Sequence, residues 1–211
     1  MSTQQPTKGL YRPEFERDSC GFGLIAQMDN KPTHWLVKTA IDALARLTHR
    51  GAIAADGKSG DGCGLLIRKP DSFLRAIASE NDITLNTLYA SGIIFFNTDK
   101  AIAEQSQKTL EEAITNNGLH FAGWREVPVD PSACGESSLA SMPYMLQIFI
   151  NAADNMDSKT FNRKLYIARR HAEIAMENID DAFYVPALQS DLISYKGLVM
   201  PENLPVFYND L

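Results

Sequence analysis

Cysteine and histidine are scarce in this chain, and neither is grouped. The 3 cysteines, Cys20, Cys63 and Cys134, lie far apart and are odd in number among 211 residues. That excludes a disulfide framework, and the absence of any Cys-x-x-Cys pair disfavours a thiol redox centre. The 4 histidines, His34, His49, His120 and His171, form no pair at metal-ligand spacing, so no metal site is predicted. Basic excess is missing too. A net charge of -6 leaves no stripe for nucleic-acid phosphates and argues against a basic membrane-surface role. No apolar run approaches the roughly 18 residues needed to span a membrane. The polar opening Met1 to Ser19 has no apolar core of the secretory type. Isolated cysteines suit a reducing compartment, so the expected location is cytoplasmic, with neither nucleic acid nor membrane as partner. Repeats, low-complexity tracts and linkers are also lacking, which leaves one mixed α/β unit as the simplest organisation.

What is there is organised around Asp18-Ser19-Cys20-Gly21-Phe22-Gly23. A cysteine stands between small residues at the head of an apolar run, behind a polar leader at 1–19. If Cys20 becomes the first residue of the mature chain, it carries a nucleophile and a base together. Its thiolate attacks, and its own α-amine moves the proton, directly or through a water. The amine titrates near ~8 and the thiol near ~8.5, so modest tuning brings both close to neutrality. Gly21 allows close approach of a substrate to the backbone. The plainer reading is a buried small hydrophobe in a strand, the usual fate of a free cysteine.

Hydrophobic periodicity then divides the chain. Residues 20–28 read as a strand closed by Asp29-Asn30. Thr33 caps a helix whose stripe is Val37, Ala40, Ile41, Leu44 and Leu47, with His49 and Arg50 in its last turn and Gly51 as the residue after it. Leu65 to Ile67 read as a short buried strand, and 71–79 as a helix capped by Asp71. Leu88 to Asn97 is a strong strand. Asp99 caps a helix to about Asn117, with Ala103, Leu110, Ala113 and Ile114 inward and Gly118 as the stop. Strands follow near 119–129 and 144–152, separated by a small-residue loop from Pro131 to Pro143. Ser158 caps a longer helix with Phe161, Leu165, Ala168, Ala172 and Ala175 inward. Its Arg163, Lys164, Arg169 and Arg170 form a solvated face. The end reads as a hairpin, 183–189 and 192–200, turning at Ser190-Asp191.

The glycine-rich stretch Asp56 to Gly64 invites two familiar readings, and both fail on spacing. A phosphate loop needs Gly, four residues, then Gly-Lys-Ser/Thr. Here Ala52 stands where the first glycine belongs, and a helix rather than a strand leads in. An EF-hand would place Lys58 at a ligand position. The stretch is expected to be a turn with positive φ angles against the wall of the site. Cys63 and Cys134 are read as structural, with nothing nearby in sequence to depress a thiol pKa.

Arg17 to Gly23, together with Leu47-Thr48-His49-Arg50-Gly51-Ala52, resembles the start of a class II glutamine amidotransferase domain of the glutamate synthase large-subunit type. The resemblance continues through Asp56-Gly57, Gly60 to Gly64, Arg163 to Arg170 and Tyr195 to Leu198, and covers nearly the whole chain from Glu16. It implies an α+β fold, the four-layer αββα sandwich of N-terminal-nucleophile hydrolases, supplied here only in its first part and incomplete on the C-terminal side. It implies residues 1–19 as a removed leader and 20–211 as the domain portion. Cys20 is then the nucleophile, and Gly21, Arg50 and Gly51 line the substrate pocket, with the arginine close to the nucleophile. Without the resemblance, Arg50 reads as a helix-end arginine satisfying carbonyls.

The implied activity is release of ammonia from L-glutamine through a cysteinyl thioester, for transfer to 2-oxoglutarate. No cofactor is implied for this segment. FMN and an iron–sulfur cluster belong to synthase domains, and an NADPH-oxidising small subunit to the bacterial assembly. The family's second, carboxylate-binding arginine and its His-Asn-Gly oxyanion donors find no counterpart here, and Asn117-Gly118 lacks the flanking residues. The chain alone is therefore expected to turn over glutamine poorly, since one lost oxyanion donor costs about 10²–10³ in rate. The alternative is a non-catalytic fragment or regulatory module of the same fold.

Overall fold

The computed structural model describes residues 21–211. Cys20 and the leader Met1 to Ser19 lie outside the described residues. The elements are α1 (His34–Ala45), β1 (Ser59–Arg68), α2 (Asp71–Glu80), β2 (Tyr89–Phe96), α3 (Lys100–Asn116), β3 (His120–Glu126), α4 (Glu136–Ala140), β4 (Tyr144–Asn151), α5 (Ser158–Met176), β5 (Leu192–Val199) and α6 (Leu204–Phe207). Three short 3-10 turns join them at Thr48–Arg50, Pro131–Ala133 and Pro201–Asn203.

β2, β4 and β3 form an antiparallel sheet in that order, and β1 pairs antiparallel with β5 in a second. The period of two along β2 sorts its side chains. Ala90, Ile94 and Phe96 face a core closed by Leu110 and Ile114 of α3 and by Phe161, Leu165 and Ala168 of α5. Tyr89 and Ile93 face the other way, into a second core with Leu65 of β1 and Ile193, Tyr195 and Val199 of β5. Val37, Ala40, Ile41 and Leu44 of α1 pack half-buried against this second core. A strand covered on both faces reads as a continuous apolar run, and this explains the strength of the 88–97 signal.

Polar groups on the inner face of β4 are satisfied in a chain. Gln147 donates to Ser91 Oγ (2.9 Å) and accepts from Arg125 (2.9 Å), whose guanidinium also holds Asp210 through two bonds of 2.7 and 2.9 Å.

Several sequence expectations need correction. No strand forms over residues 21–28. Phe22, Leu24 and Met28 are 91, 88 and 96% exposed, and no backbone hydrogen bond engages 21–26 among the described residues. An extended apolar run becomes a strand only by pairing, and β1 to β5 pair among themselves. The predicted C-terminal hairpin is also absent. Residues 183–189 touch β2 only through single bridges at Gln189 and Tyr184, and β5 pairs with β1. β1 begins at Ser59, well before Leu65, and alternates, with Leu65 buried and Leu66 60% exposed.

Local capping differs in three places. Pro70 occupies the cap of α2, and Asp71 instead accepts from Arg75 (2.9 Å). Asp157 caps α5 by accepting from Thr160 N (3.0 Å), one residue before the expected Ser158. Met176, not Ala175, completes the buried stripe of that helix. Its basic face is only partly solvated, since Lys164 donates to the Asn117 carbonyl (2.6 Å) and Arg169 pairs with Glu173 (2.7 Å). The expected loop at 131–143 contains a 3-10 turn and α4.

Candidate functional site

α1 starts where Thr33 accepts from Leu36 N (3.4 Å) and stops at Ala45, with Arg46 as its cap. The helix therefore ends before Leu47. His49 and Arg50 ride on the separate 3-10 turn, not on the last turn of α1 as the sequence predicted. Gly51 closes that turn with φ -100° and ψ 158°, an extended conformation open to any residue, rather than the left-handed one expected after a helix. Its requirement is space. A β-carbon on Gly51 would lie 2.8 Å from Oδ1 of Asp61. At the other end of the turn, the Thr48 hydroxyl is 2.7 Å from the Ala45 carbonyl and 3.0 Å from the Glu202 carboxylate, and its single proton serves one at a time.

Asp61 comes from the glycine-rich stretch. Residues 53–60 form a tight hairpin, bridged Ile53 to Gly60, with Gly57 at φ +69°. Asp56 organises it. Its carboxylate accepts from Lys58 N (3.0 Å), Ser59 N (2.8 Å), Ser59 Oγ (2.6 Å) and Ser137 N (3.1 Å). These bonds, the Ser59 hydroxyl first, hold its pKa well below the usual carboxylate range. Ser59 Oγ accepts in turn from Ser138 N (3.1 Å), which ties α4 to the hairpin, and Ser138 Oγ donates to the Leu198 carbonyl. Beyond Ser59 the β1–β5 register slips, because Ser59 opposes Val199 and Cys63 opposes Gly197. The extra residues bulge out, with Gly62 at φ +113°. A bulge re-aims a side chain and recurs beside active sites. This one sends Asp61 to the 48–51 turn.

The bulge also walls a cavity of about 520 Å³ between the sheets. Cys63, Phe95, Met142, Met145 and Phe207 make its apolar lining, and Asp61 and Lys196 reach it as charged groups. Lys196 Nζ donates to Tyr184 Oη (3.0 Å). Burial pushes the Cys63 thiol up to about 12, with the Asp61 charge adding to the effect. Burial likewise raises Cys134, with Asp130 contributing. Neither environment activates a thiol.

The sequence candidates are distributed as follows. Cys20 is outside the described residues. Gly21 is exposed and in no strand, and no hydrogen bond joins it to the 48–51 turn among the described residues. The turn brings the backbone of Arg50 together with Gly51, and Gly51 with Asp61. Sequence reasoning gave no role to Asp61, Glu202 or the Lys196–Tyr184 pair. An aspartate flanked by two glycines in a strand was the one available signal for the bulge. Among the described residues, no group of three or more His, Cys, Asp or Glu is placed to hold a metal ion, and no helix is long and apolar enough to cross a membrane.

Comparison with known proteins gives the same family. Residues 20–211 match the family described as Glutamine amidotransferases class-II. The chain is 39% identical over 207 residues to the "Glutamate synthase [NADPH] large chain" of Bacillus subtilis, covering 97% of this chain and 14% of that protein. It is 36% identical over 200 residues to "Ferredoxin-dependent glutamate synthase 1, chloroplastic/mitochondrial" of Arabidopsis thaliana, covering 93% and 12%. A third relative, "Glutamate synthase [NADH]" of Saccharomyces cerevisiae, is 32% identical over 216 residues, covering 97% and 10%. The chain thus spans 10–14% of the length of these curated relatives. The family match runs from the candidate nucleophile through the turn, the bulge and both sheets, and on that extent the chain belongs to the class II glutamine amidotransferases.

Proposed function

We propose that this chain is the ammonia-releasing domain of a glutamate synthase, acting on the side-chain amide of L-glutamine through Cys20. The observation that carries the reading is the family match, which begins at Cys20 and takes in Arg50 and Gly51. Residues 1–19 are a leader, removed so that the Cys20 α-amine is free. The thiol proton passes to that amine as Sγ attacks the amide carbon. The amine returns the proton to the leaving nitrogen, and ammonia departs from a γ-glutamyl thioester. Water then cleaves the thioester to glutamate and regenerates the thiol. Gly21 admits the substrate to the backbone, and Arg50 orders the pocket.

Three layers support an αββα sandwich, namely α3 and α5, the three-stranded sheet and the two-stranded sheet, while α1 packs against the core between the sheets. Delivery of ammonia to 2-oxoglutarate, FMN, an iron–sulfur cluster and an NADPH-oxidising small subunit belong, on this reading, to the machinery around the domain. The described residues do not fit a cluster, which takes about four thiolates. Cys63 and Cys134 are their only cysteines, and both are held protonated by burial. The proposed site of action is the cytoplasm.

N-terminal sequencing of glutamine-hydrolysing material tests this. The first residue should be Cys20, and active protein still starting at Met1 would refute the role of the amine.

A further inference from the structure

We propose that Asp61 and Glu202 are positioning residues, two carboxylates that pin the 48–51 turn at its two ends and so set the affinity of the site for glutamine rather than its rate of chemistry. The inference rests on the reading of Arg50 as a pocket residue. Asp61 stands against Gly51, close enough to exclude a β-carbon there. Glu202 lies 3.0 Å from the Thr48 hydroxyl. The two come from neighbouring strands of one sheet. Asp61 sits in the bulge of β1, and Glu202 follows β5 in the Pro201–Asn203 turn, while Ser59 and Val199 pair between them. The turn is therefore braced on the sheet as well as on the end of α1, whose Ala45 carbonyl lies 2.7 Å from the Thr48 hydroxyl.

The sequence around Asp61 is shaped for this placement. A β-carbon on Gly60 would come within 3.1 Å of the Val199 carbonyl, and Gly62 holds a φ of +113° that other residues avoid. Two glycines thus aim one carboxylate. Asp61 also lies on the cavity wall, so the brace and the cavity share a residue. A turn fixed by two carboxylates presents the Arg50 position in one geometry before substrate arrives, and such preorganisation appears in binding.

The test is glutamine hydrolysis by the full-length gene product. Asp61→Ala should raise KM for glutamine about tenfold or more and leave kcat within about twofold, the signature of lost binding rather than lost transition-state contact. Glu202→Ala should do the same more weakly. Glu202→Gln, which keeps an acceptor for Thr48, should restore the unsubstituted KM. Thermal melts should be unchanged, because both side chains are at the surface. If Asp61→Ala melts early, Asp61→Asn provides the test, because it keeps the side chain and removes its charge. An unchanged KM in Asp61→Ala and Asp61→Asn, or a fall in kcat at constant KM, overturns the proposal. If hydrolysis survives Cys20→Ala, or is absent from the unsubstituted protein, the functional reading falls and the proposal with it.

Discussion

Oδ1 of Asp61 lies 2.8 Å from the point where a β-carbon on Gly51 would sit. The backbone of Gly51 is extended, so alanine is conformationally acceptable there and the whole penalty is steric. Gly51→Ala and Asp61→Ala should therefore each speed amide exchange across 48–51, and the double variant should exchange about as fast as the faster single variant, because both changes remove the same brace. Contacting sites are non-additive in this manner. Hydrogen exchange read by mass spectrometry checks it, and additive effects would show that the two residues do not touch in solution.

Acid should loosen the hairpin at 53–60. The Asp56 carboxylate is stabilised in the fold by three N–H donors and the Ser59 hydroxyl, so its folded pKa is depressed. A depressed carboxylate contributes stability that is present above its unfolded pKa of about 4 and is lost as pH falls through the folded value. Asp56→Asn should remove that dependence. Melting temperatures measured downward from pH 5 should fall more steeply for the unsubstituted chain than for Asp56→Asn. Parallel curves would contradict the assignment.

The ion pair between Arg125 and Asp210 is shielded, with 10 and 8% of the side chains exposed. It fastens the last residues to β3. Arg125→Met strands a buried carboxylate and should cost about 3–5 kcal/mol. Arg125→Met with Asp210→Leu should recover most of the loss, since paired removal leaves no orphan charge. Denaturant unfolding of the single and double variants measures both.

The sequence carried the interior well. Ile93 to Phe96 announced a strong strand, though not that both of its faces are covered, and Ala103, Leu110, Ala113 and Ile114 announced the buried side of α3 by their helical period. Asp99 and Gly118 marked the ends of that helix by chemistry local to each. What depends on distant partners was not legible. The run at 21–28 is as apolar as a strand, but strand formation requires a neighbour. β5 was assigned to a local hairpin and pairs instead with β1, more than a hundred residues earlier. The site divides the same way. His49-Arg50-Gly51 stood out as a string, whereas Asp61 and Glu202 acquire their roles only when β1 and β5 pair and bring both to one turn.

Cys20 as nucleophile is tested most directly by exposing the mature protein to a glutamine-derived diazoketone and locating the adduct by peptide mass spectrometry. The thiolate displaces dinitrogen and keeps the ketone, leaving a fixed mass on one cysteine. The label should appear on an N-terminal Cys20 alone, be suppressed by glutamine, and coincide with loss of hydrolysis. Cys63 should stay unmodified, since burial pushes its thiol up to about 12 and keeps it protonated near neutral pH. A glutamine-protected adduct on Cys63 or Cys134, with Cys20 free, would contradict the account.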